Sequence, residues 1–315
     1  MRAVRSRLPA LRHQPVTRRD LLRSAGLGGL GVLAPAWLTG CGGGDVDEVV
    51  EVPAQVRQEL VLASGSFGQL VRSWSNRHQI RLVTHDGHVT LFGDSSYRDV
   101  NAPMGGAVDP DGSFWIADFG NARVLHLNPS LQVLGAITEV AGVPLRTPAD
   151  VSVFGDGHLA ICDTGVGRVA LVNPDTGQGR WIGTDVASMV ASGWRPDWDD
   201  ETDHHLLDNP RVVAVSPAGE LVVLDTAARR LVFFNEDGLA LRSILLEGKP
   251  TSLAISPDGL CHVCDPVSRD VWSFDPDSPK ADLELVLPDA VTPYALTWQD
   301  AEGSSLDRLL VSSLT

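Results

Sequence analysis

Asp109–Pro129 reads DPDGSFWIADFGNARVLHLNP, and three later stretches line up with it. They are Phe154–Pro174 (FGDGHLAICDTGVGRVALVNP), Ser216–Gly238 (SPAGELVVLDTAARRLVFFNEDG) and Ser256–Asp277 (SPDGLCHVCDPVSRDVWSFDPD). Each reads as a Gly-containing turn, an apolar strand ending in Asp, a short turn, a further strand and a polar turn. A proline and an apolar strand precede each unit, at Pro103, Pro148, Pro210 and Pro250. A fourth strand follows, as at Gln132–Ile137 and Leu239–Leu245.

The third strands open at Val124, Val169, Leu231 and Val271, so the spacings are 45, 62 and 40 residues. Repeats of this length with four short strands each are the pattern of propeller blades. No such sheet buries both faces alone, but packed radially each covers its neighbours. Helical periodicity is missing after the first forty residues, which disfavours crossover helices. The sequence therefore predicts an all-β, six-bladed β-propeller of four-stranded antiparallel blades over 57–315. Six blades need residues 58–93 as a full blade and a last blade, built on Tyr294–Gln299 and Asp307–Leu314, that borrows a strand from near Val49–Val56. The alternative is five, with residues 78–93 completing the C-terminal pair.

The details resemble the NHL repeat family. Asp118 and Arg123, Asp163 and Arg168, and Asp225 and Arg230 each stand five apart, as in that family's blades. The resemblance covers most of residues 100–290. These pairs are read as structural: the Asp accepts backbone N–H groups in its own tight turn and the Arg forks onto the carboxylate. In the fourth unit Asp265-Pro266-Val267-Ser268-Arg269-Asp270 moves the Arg by one place, which puts that ion pair in question.

The N-terminus carries a different message. Thr17-Arg18-Arg19-Asp20-Leu21-Leu22-Arg23 resembles a twin-arginine export signal, and Leu38-Thr39-Gly40-Cys41 a lipoprotein cleavage box. The apolar, glycine-rich run between them is shorter than the ~20 residues that span a bilayer. The expectation is a signal peptide over 1–40, lipidation of Cys41, a flexible tether over 41–56 and a periplasmic protein that meets the membrane only through its anchor. Residues 1–41 hold seven of the 25 basic side chains and one of the 40 acidic ones. That leaves 18 against 39, a net of −21, and a surface this negative repels phosphate backbones, so nucleic acid is set aside as a partner. With Cys41 lipidated, Cys162, Cys261 and Cys264 remain. An odd number argues against a disulfide framework, and positions 261 and 264 face opposite sides of a strand, so they are read as buried thiols.

The 62-residue spacing contains an insertion, Thr184–Asn209, that should hang over one mouth of the channel. It holds Trp194 and Trp198, five acids from Asp197 to Asp203, and His204-His205. Its order matches neither an EF-hand nor a His-x-x-x-His zinc helix. On the inner strands the residues expected to face the channel include Asp150, Arg211 and Tyr294. Lactonase-like and lyase propellers hold a metal on such strands, and Asp150 is the sole carboxylate at the corresponding positions here. No Ser-His-Asp or glycine-elbow motif is present. The sequence thus points to a non-catalytic binding module with no predicted cofactor, docking an envelope protein, peptide or saccharide through Trp194, Trp198, His204, His205, Asp150, Arg211 and Tyr294. The alternative is a metal-dependent hydrolase or lyase acting in the channel, with a divalent ion.

Overall fold

The computed structural model describes residues 32–40, 54–57, 59–73, 76–94, 98–183, 207–277, 283–286, 291–299 and 308–313. Arg18, Arg19, Cys41, Trp194, Trp198, His204 and His205 lie outside them. The described chain is all strand apart from turns and two single-turn 3₁₀ segments.

Five contiguous stretches each fold into a four-stranded antiparallel blade in simple up-and-down order. The first is Leu60–Gly65, Gly68–Arg72, Ile80–Val83 and Val89–Phe92. The second is Gly106–Val108, Phe114–Asp118, Arg123–Leu127 and Val133–Ile137. The third runs from Pro148–Val153 through Leu159–Asp163 and Arg168–Val172 to Gly179–Gly183. The fourth consists of Pro210–Val215, Leu221–Asp225, Arg230–Phe234 and Ala240–Leu245, and the fifth of Ser252–Ile255, Cys261–Asp265, Asp270–Phe274 and Leu283–Val286. Residues 60–92 thus pair among themselves rather than with the C-terminal pair.

A closing sheet stands between the fifth blade and the first. Pro293–Gln299 is its inner strand and pairs antiparallel with Arg308–Ser313. Ala54–Arg57 then adds in parallel, with Ala54 opposite Leu309 and Arg57 opposite Ser312. The last residues of the expected tether therefore belong to the ring. Side chains lock the closure: Arg57 donates to Gln69 Oε1 (2.9 Å), Gln69 Nε2 to Gln299 Oε1 (3.1 Å), and the Val61 N–H to Ser312 Oγ (3.0 Å). Val32–Gly40, inside the segment expected to be removed on export, pairs with Ala54–Arg57 on one side and Leu283–Val286 on the other.

The core explains the sequence pattern. Second strands such as Leu159–Asp163 and Leu221–Asp225 are buried at every position, because a neighbouring blade covers each face. Such strands read as continuous apolar runs instead of alternating ones. The apolar clusters are seams between successive blades. Phe114 and Ile116 pack with Leu60 and Leu70, Cys162 and Val169 with Val213 and Phe234, and Val222 and Phe233 with Leu253 and Val263. Fourth strands lie at the rim, where Leu91, Val133 and Leu245 are exposed. In four blades the first turn carries a glycine, Gly112, Gly157, Gly219 or Gly259, with φ between 84° and 89°. A side chain there would sit in the strained left-handed region.

The repeated Asp–Arg pairs form, but the carboxylates bind elsewhere than expected. Arg123, Arg168 and Arg230 reach Asp118, Asp163 and Asp225 at 2.7, 2.8 and 3.2 Å, and all three carboxylates are fully buried. Backbone N–H donors reach them from the loop that enters the same blade, 16 or 17 residues upstream, and the tight turn adds the Asn121 side-chain amide to Asp118 (2.9 Å). Asn101 donates to Asp118, Arg146 and Thr147 to Asp163, and Asp208 and Asn209 to Asp225. The Arg finishes the clasp on that loop, as Arg168 does on the Pro144 carbonyl (2.8 Å). In the fifth blade Asp265 accepts from Lys249 upstream and from Val267 and Ser268 in its own turn. The first blade has Arg72 where the others have Asp, since Leu60 faces Arg72 as Pro148 faces Asp163.

Candidate functional site at the channel mouth

The six inner strands enclose a central cavity of about 210 Å³. Asp150, Arg211, Thr251 and Tyr294 lie near the starts of four of them. Inner strands start at the mouth that also carries the entry loops and second-to-third strand turns. The rest of the wall is strand backbone with mainly Val, Leu, Ile and Ala side chains, joined by Ser152, Ser252, Thr297 and Trp298. Three residues expected to face the channel, Asp150, Arg211 and Tyr294, do so.

Asp150 ties three blades together. Its Oδ2 accepts the Val213 N–H of the fourth blade at 3.0 Å. Its Oδ1 lies against the second blade, where a Cβ on Gly105 would come within 2.1 Å of it. Only glycine leaves room for the carboxyl there. Burial raises the Asp150 pKa to about 7, against the backbone N–H groups of Val213 and Val151 and the charge of Arg211. A carboxyl raised in the folded state contributes stability at low pH that is lost as pH rises through about 7. The melting temperature should therefore fall as pH rises from about 4 to about 7 and level off above that, and Asp150→Asn should flatten the fall. Superimposable pH profiles for parent and variant would show that Asp150 is ionised throughout.

Arg211 extends from the fourth blade past the fifth to the closing sheet. Its Nη2 donates to the Tyr294 hydroxyl, and its guanidinium sits 5.1 Å from that ring's centroid. Between them, the Thr251 hydroxyl donates to the Tyr294 carbonyl (2.9 Å). Other arginines, including Arg123, Arg168, Arg230 and Arg242, are paired with carboxylates. Among the described residues Arg211 has no ion-pair partner. The sequence placed residues 211 and 294 on inner strands but gave no sign that they meet, because 83 residues and a whole blade separate them.

The described cysteines and two strand histidines are taken up by packing. Burial raises the thiol of Cys162, and pushes Cys261 and Cys264 up to about 12, so all three act as small apolar groups. His262, lowered to about 4 by burial, bonds Ser273 and stacks on Trp298, and His126 stacks on Trp115. On the opposite face a cleft of about 740 Å³ opens between the third and fourth blades, where His158 Nδ1 lies 2.9 Å from Asp156 and Arg180 3.7 Å from Asp237. Among the described residues no three His, Cys, Asp or Glu side chains are grouped to hold a metal ion.

The insertion is fastened at both ends. A Cβ on Gly183 would lie 3.1 Å from Leu207 Cδ1, so segment 184–206 leaves and rejoins the ring at one point on this mouth. Leu207 is fully buried, and the Asp208 and Asn209 N–H groups are held by Asp225.

A ring of four-stranded antiparallel blades around a channel defines a β-propeller. Solved structures bear this out. The chain matches a gluconolactonase from Xanthomonas campestris with a TM-score of 0.61, 17% identity, and coverage of 89% of this chain and 93% of that one. It matches a streptogramin B lyase with a TM-score of 0.58 and 12% identity, over 81% of this chain and 76% of that chain. A catalytically inactive virginiamycin B lyase from Staphylococcus aureus, solved with quinupristin, gives 0.57 and 9%, over 88% and 92%. At these identities the likeness is one of fold. No protein-family model and no curated protein matches the chain.

Proposed function

We propose that this chain is an exported, lipid-anchored propeller that docks an envelope protein, peptide or saccharide on its channel mouth without transforming it. The observation that carries the reading is the distribution of polar groups. Asp150, Arg211, Thr251 and Tyr294 gather at one mouth, above a cavity of about 210 Å³. Sites that engulf a small-molecule substrate run to ~300–1,000 Å³. The insertion belongs to the same mouth, and its tryptophans and acids suit contact with a partner of positive charge. Replacing Ala191–Leu206 by a short Gly-Ser linker should leave the melting temperature within about 2 °C, since the fastened ends are untouched. Capture of partners from envelope extract should be lost. Identical partner profiles for intact and shortened proteins would sink the proposal.

The fold likeness to lyase and gluconolactonase structures favours a second reading, a metal-dependent reaction in the channel. The described walls supply one carboxylate, Asp150, half of which is taken by the Val213 N–H, and this falls short of a three-donor site. Metal analysis of protein purified from the exported fraction decides the matter, and one divalent ion per chain would favour this second reading.

A further inference from the structure

We propose that the channel mouth binds a carboxylate group, held by the Arg211 guanidinium and the Tyr294 hydroxyl, from a small organic acid or the free end of a peptide. The inference deepens the docking reading and rests on it, by naming the chemistry that enters the channel.

Arg211 is half-buried and lines the cavity, yet its one hydrogen bond goes to a neutral phenol. A guanidinium partly withdrawn from water, with no carboxylate in ion-pair contact among the described residues, is costly, and the cost falls when an anion reaches it. The fork of a guanidinium matches the two oxygens of a carboxylate. The carboxyl on the same wall does not fill that role, because Asp150 is committed to the Val213 N–H and packed on Gly105. A cavity of about 150 Å³ holds a benzene molecule. The 210 Å³ here therefore admits a short acid or one terminal residue, and excludes a folded chain. The protein's overall negative charge does not forbid this, since beyond ~8 Å it is screened at physiological salt while contact with Arg211 is not.

The test is calorimetric titration of the folded protein with propionate, and with propionamide as its neutral isostere. Propionate should bind and propionamide should not. Arg211→Gln should weaken propionate at least about tenfold, and Tyr294→Phe, which keeps the ring, by about threefold. Asp150→Asn should tighten it, because a competing negative charge is removed, and a purely structural Arg211 would not produce that gain. Where Arg211→Gln fails to fold, Tyr294→Phe and Asp150→Asn decide. Tripeptides with free and amidated C-termini separate the two sources: tighter binding of the free-ended peptide than of propionate assigns the chain end, and the reverse assigns the small acid. Equal heats for propionate and propionamide, or no heat at all, would overturn the inference. Absence of propionate binding with partner capture intact removes this inference alone, whereas loss of the docking reading leaves propionate binding in place.

Discussion

Asp163→Ala is expected to lower the unfolding free energy by about 3–5 kcal/mol, the range for removing one partner of a buried ion pair. Asp163 is fully buried, accepts the N–H groups of Arg146 and Thr147, and holds Arg168 at 2.8 Å. Losing the two backbone bonds would by itself cost about 1–3 kcal/mol. Leaving Arg168 without its carboxylate adds to this, although the Pro144 carbonyl and the stack on Trp181 at 3.7 Å remain. The melting temperature should drop by about 10 °C. Asp163→Asn, which keeps an acceptor but not the charge, should fall between parent and alanine. A loss below about 1 kcal/mol would mean that the clasp is incidental.

Changing Arg18 and Arg19 together to lysine is expected to keep nearly all of the protein in the cytoplasm as precursor. Lysine preserves the charge of both positions, so the block would isolate recognition of the guanidinium groups from simple electrostatics. Cys41→Ala should leave the protein exported or uncleaved but free of lipid, and shift it out of the membrane fraction. Fractionation with detection of the propeller checks both. Unchanged membrane attachment of the Cys41→Ala protein would refute the anchor.

How far the sequence could be read follows from what each feature depends on. The blades were legible because each is local: its turns, its Asp and its Arg lie within one repeat. The first blade was harder, since Arg72 replaces the Asp and the entering loop comes from the closing strand. The direction of the clasps was misread for a physical reason. A carboxylate at a strand end has two sets of N–H donors within reach, and sequence spacing does not rank them: Asp265 takes backbone N–H groups of its own turn, and Asp118 takes the Asn121 side-chain amide there. The channel residues were legible as a set, since inner strands could be aligned. The meeting of Arg211 with Tyr294 and of Asp150 with Val213 depends on angles around the ring, which no local pattern encodes.

The parallel closure fixes the face of the ring on which Ala54–Arg57 begins. Ala54 lies beside Leu309, at the start of the strand whose first residue, Arg308, faces Gln299. Gln299 is the far end of the inner strand that begins beside Tyr294 at the mouth. The strand Ala54–Arg57 therefore starts on the side opposite the mouth. For a protein held by lipid at Cys41, the thirteen residues to Ala54 reach at most about 45 Å. Were Cys41 lipidated as proposed, the anchor would join the ring on the face away from Arg211, and the channel mouth would open away from the bilayer.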